Sequence, residues 1–190
     1  MNNKDKQFLN NYWDEYKKLI FENRDDSKII SLKDAIKDTV DKKGIIYFFG
    51  NGASASLCSH AATDFTKQAK IEARAFNDHN LVTALANDYG YEHWVSKAIE
   101  LYVKPNDRVI FISVSGNSLN LVNGLIYAKK ENISNASLTG SDPNNFLKTN
   151  SDYSLWIDSK SYNIVESMHT IFITLLIDLF IGKNVYSVSS

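Results

Sequence analysis

The stretch Arg108–Asn120, RVIFISVSGNSLN, constrains this chain more than any other. An apolar run, Val109–Ile112, gives way at once to Ser113, Ser115, Gly116, Asn117 and Ser118, and a helical pattern follows. A run of this kind is a strand buried on both faces, as in a parallel sheet, and the small polar residues after it are turn and helix-start chemistry. A strand that stops in a tight turn and reopens as a helix gathers free backbone N–H groups, the positive end of a helix dipole and several hydroxyls in one small volume. That volume can hold a phosphate without a lysine.

The device is repeated earlier. Ile45–Phe49 is apolar and β-prone, and runs into Gly50, Asn51, Gly52, Ala53 and Ser54 before Ala55–Lys70 takes up helical spacing. In an open α/β sheet, ligands sit at the carboxyl ends of the strands. Two such turns on one edge make one pocket.

Strand patterns at about 45–49, 72–76, 107–112, 134–138 and 153–157 alternate with helical patterns. The helices fall at about 54–69, 80–102 (broken near Asp88–Gly90), 117–131 and 162–181, with a short helical turn near 144–149. This alternation predicts an α/β protein: a three-layer, doubly wound, five-stranded parallel sheet. Ahead of it, residues 5–24 place Phe8, Leu9, Trp13, Tyr16, Leu19 and Ile20 near one face. That is an amphipathic helix made to pack on the sheet or on another subunit. A second helix is expected over 31–42, started by Ser31 as its cap with Asp34 three residues on. The two form a helical arm at about 5–42 on a single domain spanning 1–190.

A length of 190 residues fits one domain with one sizeable core. The net charge is −1 with no basic cluster, which argues against direct binding of nucleic acid. An anionic substrate would be held by local dipoles rather than by an overall field. The single cysteine, Cys58, cannot form an intrachain disulfide, which fits a reducing compartment. It reads as a core residue, with a thiol near His60 as the alternative. Residues 1–12 lack the apolar core of a signal peptide. Ile171–Gly182, the longest apolar stretch, contains Thr174 and Asp178 and is too short to span a bilayer. The expectation is a cytoplasmic protein with no membrane partner.

Four further residues carry chemistry by their spacing. His60 and Asp64 are four apart on one predicted helix, and Glu166 and His169 are three apart on the last one. Two imidazoles and two carboxylates on facing helices can bind a divalent metal such as zinc, or serve as acid and base. A Glu inside an otherwise apolar helix is costly unless it has a use. Asp88, in ANDYGYE, is either part of a helix stop or a hydrogen-bonding partner for sugar hydroxyls. His79 and His93 read as surface or satisfied residues.

Taken in order, GNGASA followed by His60, NLVTALANDYGYE, SVSGNSLN and LTGSDP resemble the sugar isomerase (SIS) domain family, and within it the phosphoheptose isomerases. The resemblance covers roughly residues 5–181. It implies a five-stranded parallel sheet, a homotetramer with sites at subunit interfaces, and conversion of sedoheptulose 7-phosphate to an aldoheptose 7-phosphate. It implies that Ser113, Val114, Ser115 and Ser118 hold the phosphate, that Asn51, Gly52 and Ser54 line the pocket, and that Asp88 contacts the sugar. It makes Asp64 the expected base; with the spacing argument above, Glu166 and His169 are further expected catalytic groups and His60, Asp64, Glu166 and His169 the expected zinc ligands, His169 standing one turn before the family's histidine. Three positions depart from the family pattern: Asp64 stands where the family has Glu, Val165 where it has Gln, and Ile173 where it has His. The chain therefore reads as an isomerase in heptose or surface-polysaccharide precursor synthesis, and alternatively as a non-catalytic phosphosugar-binding or partner-binding scaffold.

Overall fold

The structure is a computed structural model and describes residues 2–187. In chain order its elements are α1 (Asn3–Lys17), a π-helical turn (Lys18–Glu22), α2 (Asp26–Asp41), β1 (Ile46–Gly50), α3 (Ala53–Lys67), β2 (Ala73–Ala75), α4 (His79–Tyr89) and α5 (Trp94–Tyr102). β3 (Arg108–Ser113), α6 (Leu119–Lys130), β4 (Ser134–Thr139), α7 (Phe146–Asn150), β5 (Tyr153–Trp156) and α8 (Tyr162–Ile181) follow. The strands form one parallel sheet in the order β2-β1-β3-β4-β5. The expected five-stranded sheet is thus present.

Because the central strands β1, β3 and β4 are buried on both sides, the two-residue alternation of side chains assigns each residue to a layer. Ile46, Phe48, Ile110, Ile112, Leu138 and Leu155 pack with α2, α3 and α8. Tyr47, Phe49, Val109 and Phe111 pack on the other face with α5, α6 and Leu147 of α7. α8 buries Ile164, Val165, Met168, Phe172, Ile173, Leu176 and Ile177. At roughly 1.5–3 kcal/mol per buried side chain, that stripe makes α8 indispensable to a domain whose net stability is about 5–15 kcal/mol. By length and composition alone this 20-residue helix could cross a membrane, which corrects the shorter apolar stretch expected from the sequence. Here its apolar stripe closes the core.

The N-terminal arm differs from expectation in two ways. α2 begins at Asp26, not at residue 31, because the Asp25 carboxylate caps it by accepting from Ser27 N at 3.1 Å. The earlier start lets Ile29 join Leu32 and Ile36 in the core. Ser31 sits inside the helix and returns its hydroxyl to Ser27 O. The helix expected over 5–24 ends as α at Lys17 and continues as the π turn, where Asn23 N bonds Lys18 O. One extra residue in that turn re-phases the helix, and Leu19 is buried while α1 itself buries nothing.

The order in which strands are added reverses between β1 and β3: β2 lies on one side of β1, and β3 and its successors on the other. In doubly wound sheets this switch point opens a crevice at the carboxyl ends of the strands. β1 ends at Gly50, in register with Ile112 of β3, so the two polar turns leave the sheet side by side.

Candidate functional site

The first turn is shaped by glycine. Gly52 stands at the start of α3 with φ +55° and open space around the position a Cβ would take. Gly50 lets the strand end approach the backbone of Ser54, where a Cβ would come within 2.8 Å. Ser54 is buried in the first turn of α3.

The second turn holds itself open by its own hydroxyls. Ser113 Oγ accepts from Gly116 N at 3.1 Å, and Ser115 Oγ accepts from Asn117 N at 3.2 Å. A hydroxyl used as an acceptor keeps its O–H to donate, and a phosphate is an acceptor-only partner. Gly116 has φ +64° and lies so close to the Asn145 amide that no side chain fits there. Gly116 O accepts from Leu147 N, and Asn117 Oδ1 accepts from Phe146 N, which ties the turn to the start of α7. These bonds explain why α6 starts at Leu119, two residues later than expected. Ser118 becomes its N-cap residue, with no hydrogen bond from its side chain.

α3, α6 and α8 all open at this sheet edge without a side-chain cap. In contrast, α1, α2, α4 and α7 are each capped by an Asn or Asp acceptor. α5 also lacks one, but it starts from the turn after α4 rather than beside a strand end. First-turn N–H groups with no side-chain acceptor are the groups an oxyanion satisfies.

A reciprocal amide pair joins the two turns. Asn51 Nδ2 donates to Asn120 Oδ1 at 3.0 Å, and Asn120 Nδ2 donates to Asn51 Oδ1 at 2.8 Å. Tyr91 OH donates to the same Asn51 oxygen at 3.2 Å, which draws the α4–α5 turn over the first loop. Neither Asn120 nor Tyr91 stood out in the sequence. The only signal was a polar residue at a position of α6 that the fold buries. Asp88 is exposed at the end of α4 and accepts from Asn87 Nδ2. Val114, expected to contact the substrate, instead packs its side chain in the core, and its carbonyl is taken by Gly140 N.

The reacting groups divide between two places. His60 Nε2 and Asp64 Oδ2 are 3.3 Å apart, with the side chains 53% and 18% exposed. Asp64 lies toward the far end of α3. There Tyr186 OH donates to Gln68 Oε1, and the phenol's pKa is raised by burial first and then by the Asp178 and Asp64 carboxylates. Glu166 and His169 instead line a cleft of about 360 Å³ between the first turns of α3 and α8, with Ser54, Leu57 and Asn163. Glu166 is half-buried. His169 is fully buried with both ring nitrogens unpartnered. Burial pulls its pKa from 6.5 down to about 4, and the nearby Thr139 backbone offsets only part of that.

The expected zinc set does not assemble within one subunit. Among the described residues, no three His, Cys, Asp or Glu side chains gather closely enough to hold a metal ion. Val165 and Ile173 are wholly buried hydrocarbon, and Gly140 has no room for a Cβ beside Val165. Packing of α8 on the sheet, not ligation, accounts for these two residues. Cys58 is buried as expected, and burial pushes its thiol pKa up. His79 and His93 are exposed.

A parallel sheet with two helix-opening polar turns meeting at its switch point defines a phosphosugar-binding domain, and the chain belongs to the SIS domain family, which it matches over residues 10–140. It is 35% identical over 147 residues to the phosphoheptose isomerase of Helicobacter pylori (strain HPAG1), covering 74% of this chain and 76% of that one. It is 32% identical over 148 residues to a probable phosphoheptose isomerase of Thermoplasma acidophilum, covering 75% and 81%. The fold matches the solved phosphoheptose isomerase of Francisella tularensis with a TM-score of 0.85 at 22% identity, over 96% of this chain and all of that one.

Proposed function

We propose that this protein is a sugar-phosphate isomerase that interconverts a ketose phosphate and an aldose phosphate, with sedoheptulose 7-phosphate as substrate, in heptose or surface-polysaccharide precursor synthesis. The observation that carries this reading is the junction of the two turns at the β1/β3 switch point, locked by Asn51 and Asn120. One turn supplies a phosphate seat and the other opens into a cleft containing a carboxylate.

In this reading Ser113, Ser115, Ser118 and the first turn of α6 hold the phosphate. Asn51, Gly52, Ser54 and Asp88 border the polyol chain. A phosphate fixed at one end uses its binding energy to place the reacting carbons at the other. The enzyme acts in the cytoplasm as a homo-oligomer, a tetramer by its resemblance to the family. α1 supports this: it buries no residue and leaves Phe8, Leu9 and Trp13 exposed.

The test is to incubate the purified protein with sedoheptulose 7-phosphate, with and without added zinc, and follow the aldose product by NMR. Turnover is expected. Ser118→Ala should raise KM about tenfold to a hundredfold, the worth of one hydrogen bond to a charged group. A protein that binds the sugar phosphate and leaves it unconverted is a binding module, and this reading falls.

A further inference from the structure

The side-chain amide of Asn51 has one hydrogen-bonding group left for a ligand, and Tyr91 is the reason. A carbonyl oxygen has two lone pairs, and an amide nitrogen two N–H groups. Asn51 Oδ1 accepts from Asn120 Nδ2 at 2.8 Å and from Tyr91 OH at 3.2 Å, which fills both lone pairs. Asn51 Nδ2 gives one N–H to Asn120 Oδ1 at 3.0 Å, and the second N–H remains. Asn120 is buried, whereas Asn51 is half-buried just past the end of β1, so Asn51 is the member of the pair that a ligand can reach. Resting on the isomerase reading above, we propose that Tyr91 is a positioning residue for the substrate: its hydroxyl fixes Asn51 as a donor toward an oxygen of the sugar's polyol chain.

Three observations support this assignment. Tyr91 belongs to neither apolar cluster and stays 55% exposed, so burial does not account for it. The turn that carries it is fixed: Gly90 ends α4 at φ +87°, and Asn123 Nδ2 of α6 donates to Glu92 O at 2.8 Å. Asp88, which the family resemblance sets against the sugar, lies three residues before Tyr91, so the same hydroxyl ties the Asp88 turn to the first loop.

A head-to-tail amide pair keeps both of its bonds when both amides turn over. Asn51 would then present its oxygen where its N–H had been. A phenol donates better than it accepts, because its oxygen shares a lone pair with the ring, so Tyr91 holds the arrangement in which Asn51 Oδ1 faces it. Its bond to that oxygen also draws electron density from the amide nitrogen and strengthens the remaining N–H as a donor. Asn51 therefore selects a carbonyl oxygen, or a hydroxyl oxygen with a lone pair to offer.

The experiment titrates sedoheptulose 7-phosphate and inorganic phosphate by calorimetry into wild type, Tyr91→Phe, Asn51→Ala and the double variant. KM and kcat are measured alongside, and thermal unfolding reports the fold. Tyr91→Phe should weaken the sugar phosphate about threefold to tenfold, the net worth of one hydrogen bond, with the Kd for inorganic phosphate and the unfolding temperature unchanged. KM should rise while kcat stays within about twofold. In the Asn51→Ala background the same change should weaken nothing further, since it acts through that amide. Tyr91→Phe alters an exposed side chain, so its own ratio of sugar phosphate to phosphate binding decides even where Asn51→Ala fails to fold. The assignment is wrong, and the isomerase reading stands, if wild type turns over and Tyr91→Phe binds the sugar phosphate as tightly. It is equally wrong if Tyr91→Phe weakens inorganic phosphate to the same extent, or weakens the sugar phosphate by the same factor again in the Asn51→Ala background. A wild type that binds the sugar phosphate without converting it overturns the isomerase reading alone, and the binding ratios still decide for Tyr91. A wild type that binds neither ligand overturns both.

Discussion

His169 makes stability depend on pH in a direction fixed by its burial. Its imidazole protonates near 6.5 in the unfolded chain and near 4 in the fold. Between those values the unfolded state binds more protons, so stability rises with pH across the window. The contribution is complete above about 6.5 and is lost as pH falls through about 4, a change of roughly 3 kcal/mol from this one side chain. Urea unfolding at about pH 7 and pH 4.5 should show wild type losing more stability on acidification than His169→Leu does. Equal losses would mean that the ring is solvated in the folded state. The same burial that sets this pH window disfavours any acid role for His169 that needs the cation.

Asn51 and Asn120 couple two elements that are distant in sequence, and the coupling is measurable. A double-mutant cycle with Asn51→Ala and Asn120→Ala should give an interaction energy of about 1–3 kcal/mol, because each single change takes both bonds from the other amide, and that of Asn120 is buried. Additivity within about 0.5 kcal/mol would show the turns to be independent. This pair also marks where reading the chain by eye stops. The strands and helices were legible because periods of two and 3.6 are local properties. The serine turn was legible because a strand end, a glycine and a helix start lie within a few residues. The Asn51–Asn120 bond spans 69 positions and leaves no local trace. The π turn and the cap at Asp25 were missed because one added residue barely disturbs an apolar pattern, and several acidic or hydroxyl residues there compete for the capping role. Spacing placed Glu166 and His169 on neighbouring positions of one helix. Only the packing of α8 against the sheet decides that one is half-exposed in the cleft and the other sealed beneath it.

The whole molecule leaves one surface underused. α1 stacks Phe8, Tyr12, Trp13 and Tyr16 against one another, with Tyr12 and Tyr16 also touching the core while Phe8 and Trp13 stay outside it, Trp13 62% exposed. If this stripe joins subunits, Trp13→Glu should shift the protein to smaller species in sedimentation velocity, with its circular dichroism unchanged. An unaltered mass would place the contacts elsewhere.

α8 also leaves the ribosome after all five strands of the sheet. Until it emerges, Phe48, Ile110, Ile112 and Leu138 have only the cover that α2 and α3 supply, so the nascent chain must wait with that side of its sheet part-covered. The segment that finally covers them has a mean hydropathy of 1.8, high enough for a sorting machinery that reads hydropathy alone to take it for an anchor. Prompt docking on the finished sheet buries that apolar stripe, so the timing of collapse bears on yield.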